Sequence, residues 1–146
     1  MHLLASTSGI ISDQNDAIDL CQTPGEIVIL SAADSDLACL STAYQRLTVG
    51  RYSLRLVNLL QLNHNLSVDL YIEKTLCHAR LIIIRLIGGP NYWPYGLSEI
   101  SAVAKKFDIR LVVIPGDDKP DVELTSYSTV SPEILGRGWM DFTHGG

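Results

Sequence analysis

A chain of 146 residues fits one domain, and its 47% apolar content can bury a sizeable core and argues against disorder. Its net charge of -5, with no Lys/Arg cluster, argues against nucleic acid and against an anionic membrane surface, because phosphate chains need a basic stripe. Only 18% of residues are charged, below the common share of about a quarter, so part of the surface is expected to be covered by more protein.

Strand-like and helix-like segments alternate along the chain. Leu3-Leu4-Ala5 reads as a short first strand. The polar run Ser12-Asp13-Gln14-Asn15-Asp16 opens a short helix ending near Leu20, and Pro24-Gly25 punctuates. Ile27-Val28-Ile29-Leu30 is a continuous apolar strand. Asp34 or Ser35 is placed to cap a helix with Leu37, Leu40, Tyr44 and Leu47 on one face. Leu54-Arg55-Leu56-Val57 reads as a third strand. Ser67 can cap the next helix, whose apolar stripe is Val68, Tyr71, Ile72, Leu76 and Ala79. His78 falls at its C-terminus, where an imidazole meets carbonyls favourably. Leu81-Ile82-Ile83-Ile84 is the strongest strand, apolar on both faces. A helix carrying Leu97, Ile100, Val103, Ala104 and Phe107 leads to a last strand, Leu111-Val112-Val113-Ile114, which Pro115 stops. Beyond Pro120 the pattern weakens. Ser131-Pro132-Glu133 is a good helix start, but Gly136 and Gly138 disfavour its continuation.

Apolar strands alternating with amphipathic helices predict an α/β fold: a doubly wound, mostly parallel five-stranded sheet, flavodoxin-like or Rossmann-like, with residues 1–146 as one domain. The N-terminus has neither the basic region nor the long apolar run of a signal peptide. The apolar run from 81 to 84, bracketed by Arg80 and Arg85, is far too short to span a bilayer. Cys21, Cys39 and Cys77 form no C-x-x-C pair, which predicts reduced and mostly buried thiols and a cytoplasmic location.

In open parallel sheets ligands bind outside the carboxyl ends of the strands, so the loops there are the places to look for chemistry. Ala32-Ala33-Asp34-Ser35-Asp36 could offer oxygen ligands to a hard cation, although capping is the stronger reading for Asp and Ser at a helix start. Residues 85–96 are the most unusual stretch. Gly88 and Gly89 allow a sharp turn, Arg85 offers a positive charge, and Tyr92, Trp93 and Tyr95 suit an interface or a flat ligand. Those aromatics serve equally well as a plug beside the sheet. The glycine pair matches neither phosphate-loop spacing. Gly116-Asp117-Asp118-Lys119 reads as a solvated turn before it reads as a second pair of cation ligands. His2, His64, His78 and His144 show no ligand spacing, and no nucleophile elbow occurs. No catalytic residue and no metal site are assigned.

These loops carry a resemblance. Ile27-Val28-Ile29-Leu30-Ser31-Ala32-Ala33-Asp34-Ser35-Asp36-Leu37, Ser67-Val68-Asp69-Leu70-Tyr71-Ile72-Glu73-Lys74-Thr75, Arg85-Leu86-Ile87-Gly88-Gly89 with Tyr92-Trp93-Pro94-Tyr95-Gly96, and Pro115-Gly116-Asp117-Asp118-Lys119-Pro120 resemble the N-terminal domain of the large subunit of aerobic cobaltochelatase. That family inserts cobalt into hydrogenobyrinic acid a,c-diamide in cobalamin biosynthesis, and a related large subunit serves magnesium chelatase. The resemblance implies the rest of the large subunit, AAA+ ATPase subunits and the corrin precursor as partners. It implies cobalt and ATP for the full complex, with no cofactor in this domain. It also implies a docking or framing role for a chain not expected to be active alone. Arg85, Gly88, Gly89, Tyr92, Trp93, Tyr95, Asp34, Ser35 and Asp36 become candidate substrate or partner contacts. Gly136 and Gly138 depart from the family, which carries better helix formers there.

Two other readings compete. A stand-alone flavodoxin-like binding or regulatory module, such as a receiver, needs an acceptor Asp ending the central strand, whereas the strongest strand here runs into Leu86-Ile87-Gly88. A small enzyme could use Asp34, Asp36, Asp117 and Asp118 around a divalent cation.

Overall fold

The computed structural model describes residues 17–46, 52–117, 119 and 121–130. Four parallel strands, β1 (Ile27–Ser31), β2 (Leu54–Asn58), β3 (Leu81–Leu86) and β4 (Arg110–Pro115), form one sheet in the order β2-β1-β3-β4. Ile27 lies opposite both Leu54 and Leu81, and Leu81 opposite Arg110. Helices α1 (Asp34–Arg46), α2 (Asn65–Lys74) and α3 (Pro94–Lys106) make the crossovers, and a one-turn α4 (Val122–Thr125) follows β4.

Each strand divides its side chains between two faces because successive residues alternate across the pleat. Ile29, Leu54 and Leu56 pack with Leu37 and Tyr44 of α1 on one face. Val28, Leu30, Val57, Ile82, Ile84, Leu86, Leu111 and Val113 pack with α2 and α3 on the other, through Val68, Tyr71, Leu97, Ile100 and Ala104. Helices on both faces of a parallel sheet make it doubly wound, as expected, and the strand order is the flavodoxin-like one. The described strands number four against five expected. The segments 3–5 and 131–133 lie outside the described residues, as do Gly136 and Gly138.

Several local expectations change. Residues 17–20 are irregular, so the expected first helix does not reach Leu20. His64, not Ser67, caps α2: its Nδ1 accepts from the Leu66 amide at 3.1 Å. Ser67 is buried within the first turn of α2, where its hydroxyl accepts from the Ile18 amide at 2.7 Å. The helix ends at Lys74, and Leu76–His78 forms a separate 3-10 turn, so the Leu76 and Ala79 side chains reach the core from outside the helix. In β3 only Ile82, Ile84 and Leu86 are buried; Leu81, Ile83 and Arg85 on the α1 face are half-buried. Phe107 lies past the end of α3 and is exposed, with the Lys106 ammonium over its ring. The three thiols are free, but Cys21 and Cys39 are exposed and Cys77 is half-buried, contrary to expectation. Cys21 lies in irregular chain, Cys39 on α1 and Cys77 in the 3-10 turn after α2.

Both sheet edges are covered by irregular chain. Along β2, the Gln22 side-chain amide donates to the Leu56 carbonyl at 3.3 Å, and the Tyr71 hydroxyl donates to Gln22 Oε1. Burial pushes the Tyr71 phenol far above its usual range, so it remains a neutral donor there. Along β4, Thr129 Oγ1 accepts from the Leu111 amide and Ser128 Oγ from the Val113 amide, both at 2.8 Å.

Candidate functional site

Strands β2 and β3 leave β1 in opposite directions, so the carboxyl ends of β1 and β3 flank a topological switch point, where doubly wound sheets form their ligand crevice. Two sequence-selected residues meet there. Arg85, the fifth residue of β3, reaches Asp36 in the first turn of α1 with Nη1–Oδ1 at 2.5 Å. The Asp36 Oδ2 accepts from the Ser31 hydroxyl at 2.9 Å, and the Ser31 Oγ accepts from the Ala33 amide at 3.1 Å. Arg85 Nη2 also donates to the Gly116 carbonyl at 3.0 Å. The pair is mostly buried, with 13% and 17% of the two side chains exposed. A mostly buried, mutually neutralising pair offers little net charge to an incoming ligand. The switch point is bolted by it, and β1, β3 and the loop after β4 are tied together.

Asp34 and Ser35 are exposed on the first turn of α1. Asp34 Oδ1 accepts from the Asn58 amide at 2.7 Å, which ties α1 to the end of β2. Asp34 and Asp36 both lie in the first turn of α1, where carboxylates suit the helix dipole, and Asp34 and Ser35, the expected caps, are the first two residues of the helix itself. Asp34 and Asp36 thus have different partners, while Asp117 lines a separate cleft. Asp118 lies outside the described residues. Among the described residues no group of three His, Cys, Asp or Glu side chains could hold a metal ion.

The loop after β3 splits its aromatics between two jobs. Trp93 is buried, and its indole N–H donates to the Leu62 carbonyl at 3.0 Å, so it plugs the groove between α3 and the chain leaving β2. Gly96 faces the indole, and a Cβ there would run into the ring. Tyr95 donates its hydroxyl to Asp69 Oδ1 at 2.7 Å, linking α3 to α2, and this bond to a carboxylate pushes its phenol up to about 12. Tyr92 is exposed and stands beside Gly88.

Gly88 and Gly89 both adopt positive φ, 97° and 78°, which β-carbon-bearing residues rarely tolerate. The turn they make opens a cleft between the ends of β3 and β4, lined by Leu86, Gly88, Gly89, Pro115, Asp117, Lys119 and Asp121, with about 200 Å³ of space for solvent-sized groups. Asp121 caps α4 through Oδ1, and its Oδ2 lies 3.4 Å from where a Gly89 Cβ would sit. Asp121 is the site residue that sequence reasoning missed. The signal was present: Asp before a short helix is a cap residue, and it follows the last strand.

The described residues therefore form a doubly wound α/β fold with a bolted switch point and a small acidic cleft beside it. No protein-family model matches it. It is 46% identical over all its 146 residues to the aerobic cobaltochelatase subunit CobN of a Sinorhizobium species, and 42% identical over the same span to that of Pseudomonas aeruginosa. It spans 11% and 12% of the length of these relatives. The catalytic subunit of cobaltochelatase from Mycobacterium tuberculosis has the same fold over 82% of this chain and 9% of its own, with a TM-score of 0.64 and 25% identity. Along its whole length, the chain matches the N-terminal part of the aerobic cobaltochelatase large subunit. Among the described residues no helix is long and apolar enough to cross a membrane.

Proposed function

We propose that this chain serves cobalt insertion in cobalamin biosynthesis as the leading domain of a cobaltochelatase large subunit, in a docking or framing role and without chemistry of its own. The observation that carries this reading is the match over 100% of the chain to subunits named for that activity. The geometry agrees with a framing role. The charged pair at the switch point is spent on holding loops, and the Trp93 indole is spent on packing. The corrin precursor, the AAA+ ATPase subunits, cobalt and ATP belong to the same proposal as partners of the whole subunit.

The test is a graft. The matching region of the Pseudomonas aeruginosa subunit is deleted in one strain and replaced by this chain in another, and cobalt insertion into the corrin precursor is assayed in extracts. Deletion should abolish or strongly reduce insertion and the graft should restore it. Full activity without the region, or a well-expressed graft with none, would sink the reading.

A further inference from the structure

Large apolar side chains are left outside the core very unevenly. Seven are exposed among the described residues: Tyr52, Leu60, Leu66, Ile87, Tyr92, Phe107 and Val122. Five of them, Leu60, Leu66, Ile87, Tyr92 and Val122, lie on segments leaving the carboxyl ends of the strands; Tyr52 and Phe107 lie on segments entering the opposite edge. Val122 is 83% exposed, at the first position of α4. Single exposed apolar residues are ordinary, but a concentration on one edge marks a contact surface.

The cleft supplies the polar part of that surface. Leu86 and Pro115 contribute apolar lining, while Asp117, Asp121 and Lys119 bring two carboxylates and one ammonium. The carboxylates outnumber the ammonium by one, on a chain whose net charge is -5. A basic side chain brought by an apolar partner face would complement this arrangement. The relatives indicate where such a face comes from. Close to nine-tenths of each relative lies outside the matched region, so each carries this domain beside a far larger body of polypeptide.

We infer that the carboxyl edge of the sheet, centred on Ile87, Tyr92, Val122 and the cleft, packs against the rest of the cobaltochelatase large subunit, which places a basic side chain in the cleft. This rests on the functional reading above and adds to it the surface that makes the contact. The glycine turn keeps the cleft open, and the bolt between Arg85 and Asp36 holds its walls at fixed positions.

Hydrogen exchange is compared between the 146-residue chain and the grafted full-length subunit. Amides of residues 87–89, 91–92 and 121–125 should exchange at least about tenfold more slowly in the graft, while those flanking Tyr52 and Phe107 keep their rates. Val122→Lys, at a highly exposed position next to Asp121, sets a like charge against the incoming basic side chain and should remove that protection with the fold of the isolated chain unchanged. Tyr92→Lys is the second such variant. Equal rates in both proteins, protection confined to Phe107 and Tyr52, or protection untouched by both variants would overturn the inference. An active but unprotected graft defeats this surface and leaves the functional reading intact. A protected but inactive graft does the reverse.

Discussion

At the amino edge of the sheet the ties end mostly on backbone carbonyls, whereas at the carboxyl edge they run mostly between side chains. The Glu26 carbonyl accepts from the Arg80 and Leu81 amides at 2.8 and 3.1 Å, and Arg80 passes the pattern on to Arg110 at 3.2 Å. The Arg55 guanidinium is buried among the carbonyls of Thr23, Pro24 and Leu54, at 2.9 to 3.1 Å. At the carboxyl edge the links are the Asp36–Arg85 pair, the Asp34–Asn58 bond and the Trp93 plug. Backbone carbonyls are available in any sequence, so the amino edge depends on one particular donor, Arg55, while the carboxyl edge needs both members of each side-chain pair. The two edges therefore divide the work: one keeps the sheet in register, and the other presents a shaped surface that substitutions can alter.

The largest expected effect breaks the carboxyl edge from beneath. Trp93→Ala removes a buried indole and its bond to Leu62, and denaturant unfolding should show a loss of about 3–5 kcal/mol. Next comes the amino edge. Arg55→Met leaves buried carbonyls without their donor and should cost about 3 kcal/mol in the same measurement. Asp36→Ala strands Arg85 at the switch point and should cost about 2 kcal/mol. Adding Arg85→Met to that variant should cost less than the sum of the single changes, by at least about 1 kcal/mol. Additive losses would mean the pair does not act as a unit.

The smallest effect sharpens the α2–α3 seam. The Tyr95 phenol is raised to about 12 by its bond to Asp69, so the neutral form is favoured in the folded state. Its contribution is fully present below the unfolded phenol value and is lost as pH rises through the folded one. Phenolate absorbance should show one tyrosine titrating near 12, and Tyr95→Phe should remove that step without measurably moving the unfolding midpoint.

The described strands were legible in the sequence because runs such as Ile27-Val28-Ile29-Leu30 are apolar without interruption. The loops after them were legible as places of interest for the same topological reason. What the side chains do there was not. Arg85 and Asp36 are 49 residues apart, as are Tyr71 and Gln22, and no local pattern announces such partners. The His64 cap was missed because imidazole is an uncommon cap acceptor, while Ser67 two positions inside α2 looks like a better one. Cysteine burial was misjudged because a type-wide tendency says nothing about the face on which Cys39 falls.

The hydroxyls of Ser128 and Thr129, set against β4, have a consequence for assembly. An open strand edge invites another strand, from a second copy or from an unfolded neighbour, and parallel sheets manage that hazard by covering or blocking the edge. Here two short side chains occupy amide donors that an added strand would use. Growth by strand addition is blocked at that border, so copies of the domain have no template there for fibrous stacking.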